Sequence, residues 1–323
     1  MTIARDPVTY PWTPVDPLGE ALHLLRMRGS FYCRSELGAP WGLEMPAFAG
    51  SASFHTVVAG DAWLDVPGSA PILLRPGDFA VVPHGSGHVI RSEPSPVPTV
   101  RVDTAPQEMF GDHYSLLRHG GDGDRSVLVC GIVEFDHPTS ARLVSLLPPI
   151  LRIEAAATSP AATAQVLALM ADEAQRVRPG GEAVLTRLAD ILVIMAIRSW
   201  VESDPAAQRG WVGALQDPQL GRALAAIHRH PERAWTLTAL AREAAMSRSA
   251  FAARFTSLVG EPAMRYVSRW RMESAAAALR DGATVAELAS RSGYESEAGF
   301  ARAFKRVTGV SPGSMRRPAA AET

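Results

Sequence analysis

An internal repeat near the C-terminal end constrains this chain more than any other feature. Leu240-Ala241 recurs at Leu288-Ala289, a shift of 48 residues, and Phe251 and Phe255 recur at Phe300 and Phe304, a shift of 49. The one-residue difference falls in the turn between paired elements, where an insertion is tolerated best. Each copy reads as helix, tight turn, helix. In the first, Thr238–Ala245 is followed by Ser247, which N-caps Arg248–Leu258, and Gly260 ends the unit. In the second, Thr284–Arg291 and a turn at Gly293 lead into Ser296–Val307, ended by Gly309. A long helix over about Ala263–Arg280 spaces the two. One helix-turn-helix pattern is weak evidence, because many helical hairpins look alike. Two copies around a spacer helix point to a pair of units whose second helices enter the DNA major groove.

Charge divides along the same line. From Pro218 onward there are 16 Arg and Lys against 9 Asp and Glu, a net +7, while everything before Pro218 carries −8. Such a split is expected when only the C-terminal part meets a polyanion. The basic residues are nearly all arginine, with Lys305 the single lysine.

The 323 residues are enough for two ordinary domains, and 47% hydrophobic against 20% charged residues is a globular composition. No apolar run approaches the roughly 20 residues needed to span a bilayer. Met1–Pro17 is polar and proline-rich, without the basic start and apolar run of a secretory signal. Two cysteines, Cys33 and Cys130, are too few for a disulfide framework, so a cytoplasmic location is expected. Phe54–Ala59, Ala62–Val66, Ile72–Leu74, Phe79–Val82 and Val127–Val133 read as short strands separated by Gly, Pro and Asp turns. They suggest an antiparallel barrel or sandwich. From about Ser140 the period becomes helical, through Leu143, Leu146, Leu147 and Ile150, then Val166, Leu169 and Met170. The helix over Glu182–Ser203 is apolar around much of its girth, so its second face is expected to meet the same subunit or a homodimer partner. Ser203–Gly213 reads as the linker. The expected organisation is α+β and two-domain. Its divisions are a strand-rich domain over 1–140, a helical connector over 141–203, a linker over 204–217 and an all-α DNA-binding domain over 218–318.

The repeat also carries a family resemblance. Leu220–Arg317 resembles the DNA-binding domain of AraC/XylS-type regulators through Trp270-Arg271-Met272, Gly293-Tyr294-Glu295-Ser296, Ala303-Phe304-Lys305-Arg306 and Gly309-Val310-Ser311-Pro312. The resemblance implies two recognition helices in adjacent major grooves about 34 Å apart. Carried over by position, the base-facing residues are Arg248, Ser249, Ala252 and Ala253 in one helix. Ser296, Glu297, Ala298, Gly299 and Arg302 stand in the other. Arg302 is the strongest base reader, since a guanidinium pairs bidentately with guanine. Arg254 stands between a DNA contact and a surface ion pair, and Arg306 is expected to contact phosphates or hold the fold. Several of these positions are alanine or glycine, which shifts specificity toward backbone contacts and DNA shape.

The strand-rich part resembles a cupin-like sensor β-barrel. The residues are Pro40-Trp41-Gly42, Phe54-His55, Gly60–Leu64 and Pro76-Gly77-Asp78 through Pro83–His88. Gly77, Pro83, Gly85 and His88 match the second cupin motif in spacing, but the first motif lacks its His-x-His and keeps only His55. Cupin histidines at these positions face the barrel interior, so His55 and His88 are expected to line an effector site walled by Trp41 and Trp63. With Cys130, they would make a soft donor set suited to a divalent metal such as zinc. The bland reading is that the histidines are satisfied core residues and the cysteines small buried hydrophobes. Cys33 and Cys130 as a redox pair is a further option. The resulting expectation is a promoter-binding regulator, not an enzyme, that senses a small molecule or stress signal. As an activator it would also engage RNA polymerase. A cupin-type metal enzyme fused to a DNA-binding module is the alternative.

Overall fold

The computed structural model describes residues 18, 19, 22, 27–135, 143–155, 161–176 and 178–315. Met1–Pro17, Ser140, Arg317 and the boundary expected at residue 140 lie outside them. The described residues form two compact units, 27–207, and 208–315 together with residues 18, 19 and 22.

In the first unit, strands β1 (Met27–Gly38), β3 (Ser51–Ala59), β6 (Phe79–Val82), β9 (Gln107–Met109), β10 (Tyr114–Gly120), β11 (Arg125–Phe135) and β12 (Leu151–Ile153) make a seven-stranded sheet. Its order is β12-β6-β3-β11-β1-β10-β9. Strands β2 (Gly42–Met45), β4 (Ala62–Asp65), β5 (Ile72–Leu74), β7 (His88–Arg91) and β8 (Val100–Arg101) make a second sheet, ordered β5-β4-β7-β2-β8. The apolar layer between them includes Leu37, Trp41, Leu43, Leu64, Leu74, Val82, Ile90 and Leu128.

All five expected strands are present. The closed barrel is not: β12 and β9 are edges of one sheet, β5 and β8 of the other, and no pairing joins the two among the described residues. The pairing is also not purely antiparallel, since β1 runs parallel to β10 and β2 to β8. The helical stretch expected from Leu143 is a single turn over residues 143–146. The chain then re-enters the sheet as β12, where Leu151 and Ile153 are buried opposite Val81 and Phe79. Gly85, in the turn that matches the second cupin motif, has φ +62 and sits against the Phe48 carbonyl, where a β-carbon would collide. Asp78 in the preceding turn is a buried hub. It accepts from the backbone N–H groups of Arg75 (3.0 Å) and Ala155 (2.9 Å) and from the Arg152 guanidinium (2.6 Å). Burial alone would raise its carboxyl; these donors outweigh that and hold it below the ordinary range.

Two helices follow, α1 (Ala161–Arg176) and α2 (Gly181–Ser203). The phenols of Tyr32 and Tyr114 tie them to the sheet, donating to Thr186 Oγ1 at 2.9 Å and to the Ala174 carbonyl at 2.5 Å.

The second unit contains α3 (Gly210–Gln216), α4 (Leu220–Arg229), α5 (Leu237–Glu243), α6 (Arg248–Val259), α7 (Ala263–Arg280), α8 (Val285–Arg291), α9 (Glu297–Thr308) and α10 (Pro312–Met315). The linker expected over 204–217 is therefore shorter. Residues 210–216 are helical and bury Trp211, Val212, Ala214 and Leu215. The indole of Trp211 donates to the Tyr266 hydroxyl at 2.8 Å, which is 2.6 Å from His228 Nε2, so α3 is built into the core of this unit. The repeated residues are the core of each copy: Leu240, Phe251 and Phe255 in one, Leu288, Phe300 and Phe304 in the other, all buried. Caps match too. Thr236, Ser247 and Ser296 each accept from the backbone N–H three residues on, and Thr284 with Glu287 completes a capping box.

Candidate DNA interface and sensor cavity

Each recognition helix is fixed at its start by a serine. Ser247 Oγ accepts from Ala250 N at 3.2 Å and Ser296 Oγ from Gly299 N at 3.1 Å, so Ser296 is engaged in capping. Phe251 and Phe255 pull one face of α6 inward, as Phe300, Ala303 and Phe304 do for α9. The opposite faces are left to solvent. Arg248, Ser249 and Ala253 on α6 are exposed, with Ala252 half-buried; on α9, Glu297, Ala298, Arg302 and Arg306 are exposed and Gly299 half-buried. Among the described residues Arg248, Arg302 and Arg306 form no ion pair, which leaves their guanidinium groups available to a polyanion. Arg254 differs. Its guanidinium pairs with Asp217 at 2.5 Å and donates to Gln219 Oε1 at 3.2 Å, while Asp217 also accepts from the first N–H groups of α4. Arg254 is thus committed to holding α6 against the start of α4 rather than presented as a base reader.

In the first unit, register builds the site. Cys33 on β1 stands opposite Cys130 on β11, Cys130 opposite His55 on β3, and His55 opposite Ala80 on β6. Cys33, Cys130 and His55 of this row line a cavity of about 500 Å³. The side chains of the neighbouring row, Tyr32, Phe54 and Val81, face the other way, because successive strand residues alternate. Phe31, Met45, Phe48, Met109 and Ile132 supply the apolar wall, with Ser35, Ser51, Ser53 and Gln107 as polar points.

At the floor, Cys130 Sγ lies 3.0 Å from His55 Nδ1, His55 Nε2 lies 2.7 Å from His88 Nε2, and His88 Nδ1 lies 2.9 Å from the Ser86 carbonyl. A carbonyl only accepts, so His88 carries its proton on Nδ1 and accepts at Nε2. His55 then donates from Nε2 and accepts at Nδ1 from the Cys130 thiol. The chain is neutral from end to end. Burial keeps His55 well below the ordinary histidine range, with His88 adding to the effect. Burial lowers His88 as well, against its bond to Ser86. Burial raises Cys33, and raises Cys130 well above the ordinary thiol range, so both are protonated thiols at neutral pH.

Three expectations change here. The residues anticipated as metal ligands do not converge: the two histidines face each other through Nε2, and Cys130 sits on the opposite nitrogen of His55. Among the described residues no group of three His, Cys, Asp or Glu is arranged to hold a metal ion. Trp41 does not wall the cavity; it is sealed in the inter-sheet core. Trp63 does not either, because Ala62 and Leu64 take the core positions of β4 and alternation turns Trp63 outward. Sequence reasoning missed Phe31, Ser35, Ser53 and Ile132. The signal available was the period-two series Ser51, Ser53, His55, which places one face of β3 on the cavity.

The comparisons with known proteins agree with both units. Residues 16–202 match a family model described as Cupin, and residues 240–318 match one described as Helix-turn-helix domain. An AraC-like transcription regulator of Streptomyces lividans is 35% identical over 94% of this chain and 98% of its own length. Another, from Streptomyces antibioticus, is 32% identical over 94% and 99%. The HTH-type transcriptional regulator AlkR of Acinetobacter baylyi is 28% identical over 94% and 99%. A cupin unit and a double helix-turn-helix unit, matched end to end in this way, place the chain in the family of AraC-like transcription regulators.

Proposed function

We propose that this DNA-binding transcription regulator takes its signal in the cavity above His55 and Cys130 and passes it to DNA through α2 and a second copy of the chain. The observation that carries the reading is the adjacency of two rows on one sheet. Cys33, Cys130 and His55 face the cavity. Tyr32, one residue from Cys33, holds α2 through Thr186 at 2.9 Å. A small-molecule effector seated in a largely apolar cavity of this size would shift β1 and β11 relative to α2.

Helix α2 itself supports a homodimer. Val184 and Ile191 are exposed, Leu188 and Met195 half-buried, and the four fall at spacings of 4, 3 and 4, the seam of a helix pair. Promoter DNA is the partner of the second unit and the cytoplasm the place of action, with RNA polymerase a further partner if the protein activates. No helix among the described residues is long and apolar enough to cross a membrane.

The test is a His55→Ala/His88→Ala double variant assayed for DNA binding and for transcription from the promoter it controls. DNA affinity is expected to survive while the response to the inducing condition disappears. A response at wild-type strength would place the sensing site elsewhere.

A further inference from the structure

Arg271 is the side chain at which the two helix-turn-helix units meet. It lies half-buried on the spacer helix α7, directly after Trp270. Its Nε–H donates to the Pro231 carbonyl at 2.7 Å and its Nη2–H to the Arg233 carbonyl at 2.8 Å. Both acceptors belong to the loop that leads from α4 into α5, the entry to the first helix-turn-helix. The remaining nitrogen, Nη1, reaches the Ser292 carbonyl at 3.5 Å. Ser292 caps α8 and opens the turn of the second unit. A crevice of about 70 Å³ runs beside this contact, walled by Pro231 on one side and by Leu288 and Ser292 on the other, with Arg271 and Ala275 along α7. The loop of one unit and the first helix of the other therefore face each other across a single guanidinium.

Elsewhere each unit packs on its own part of α7. Tyr266 meets Phe255 edge-on at 5.6 Å and Trp270 stacks on His228 at 3.7 Å, both on the side of the first helix-turn-helix. Met272, Ala276 and Leu279 join Leu288, Phe300 and Phe304 in the second. Apolar packing of this kind is non-directional, and it tolerates small rolls of a unit about the helix it sits on. Charge-assisted bonds from a planar fork are directional, and a guanidinium holding carbonyls from both units restricts that roll.

We propose that Arg271 sets the relative orientation of the two recognition helices, α6 and α9, and thereby the half-site separation that the chain accepts on DNA. It acts as a positioning residue: its donors are turned to protein carbonyls, not to the recognition faces. Displacing one half-site by a base pair moves it about 3.4 Å along the duplex and about a tenth of a turn around it. A rigid pair of units rejects that change, and a loosely held pair accepts it.

The experiment uses the full-length chain and a duplex that the wild-type protein recovers from a random-sequence library. Companion duplexes carry one base pair inserted or removed between the two protected segments. The readout is the ratio of Kd on the altered duplex to Kd on the recovered one. Wild type is expected to discriminate by about tenfold or more. In Arg271→Met, which keeps the length and removes the donors, the ratio should fall at least about threefold toward one. Arg271→Lys, with its single ammonium, should fall between them. If the variants weaken binding to all duplexes by the same factor, leaving the ratio unchanged, Arg271 is merely structural and the proposal is overturned. Should Arg271→Met fail to fold, Arg271→Lys decides: an unchanged ratio in that folded variant overturns it equally.

Discussion

Ala245 and Gly293 occupy the same left-handed position in the two helix-turn-helix turns, with φ of 51° and 76°. The surrounding hydrogen bonds correspond as well. Met246 N donates to the Ala241 carbonyl and Tyr294 N to the Ala289 carbonyl, at 2.9 and 3.0 Å. Both turns thus reverse the chain by the same bond from the third residue past the helix back to its last turn. Glycine adopts this conformation freely, and alanine does so only at a steric cost.

Ala245→Gly should accordingly stabilise the second unit. Relief of the left-handed strain is worth about 1–2 kcal/mol, offset in part by the added freedom of glycine in the unfolded chain, for a net gain of about 0.5–1 kcal/mol. A higher urea midpoint at unchanged slope is the expected outcome, and an unchanged or lower midpoint would remove strain from the account.

Stability of the cupin unit should fall on acidification. In the folded chain His55 and His88 are held neutral, while in the unfolded chain they take up protons below about pH 6.5. The unfolded state then binds more protons, so stability present above that pH is lost as pH falls, by at most about 1.4 kcal/mol per pH unit for each ring. Urea denaturation across this range checks it. His55→Phe should flatten the slope, and an identical slope in that variant would count against the neutral chain from Cys130 to Ser86.

Arg302 and Arg254 should separate in their effects on DNA. Arg302→Ala removes an exposed, unpaired guanidinium and should cost about 1–3 kcal/mol on the preferred duplex while relaxing preference at one position. Arg254→Ala breaks the tie to Asp217 and should lower the thermal midpoint without altering base preference. Binding profiles over a randomised duplex pool distinguish the two. An equal loss on every sequence for Arg302→Ala would move that residue to the phosphate-contacting class.

The dimer seam on α2 is open to a single charge. Ile191 is 44% exposed on α2, and burying the rest of it in a dimer would contribute about 1 kcal/mol per copy. Ile191→Glu should leave a folded monomer at micromolar concentration where the wild-type chain sediments as a dimer. A wild-type chain that is itself monomeric would contradict the seam.

The second unit was legible because its core is written twice, so Leu240 and Leu288 or Phe255 and Phe304 identify each other without any alignment. The strands around Val57, Leu64, Ile72 and Val82 were legible from alternation and turn residues. Val100–Arg101 is too short to carry a pattern, and β12 (Leu151–Ile153) was hidden behind a helical period. The histidines of the cavity could be named, but their partners could not. That His55 meets Cys130 on one nitrogen and His88 on the other depends on how three strands from two sheets, distant in sequence, come together, which no local pattern encodes. Arg254 is a similar case: on sequence it stands between a DNA contact and an ion pair, and only the position of Asp217 beside it favours the ion pair.

The pairing of α6 and α9 on DNA is the centre of the account, and a hydroxyl-radical footprint of the full-length protein on its selected duplex addresses it most directly. Two recognition helices in successive major grooves should protect two patches on one face of the duplex, centred about 10–10.5 base pairs apart. Protection should weaken steeply with added salt, as expected when arginines displace counterions. A single protected patch, or two patches on opposite faces of the duplex, would contradict the claim that the two helix-turn-helices bind as a pair.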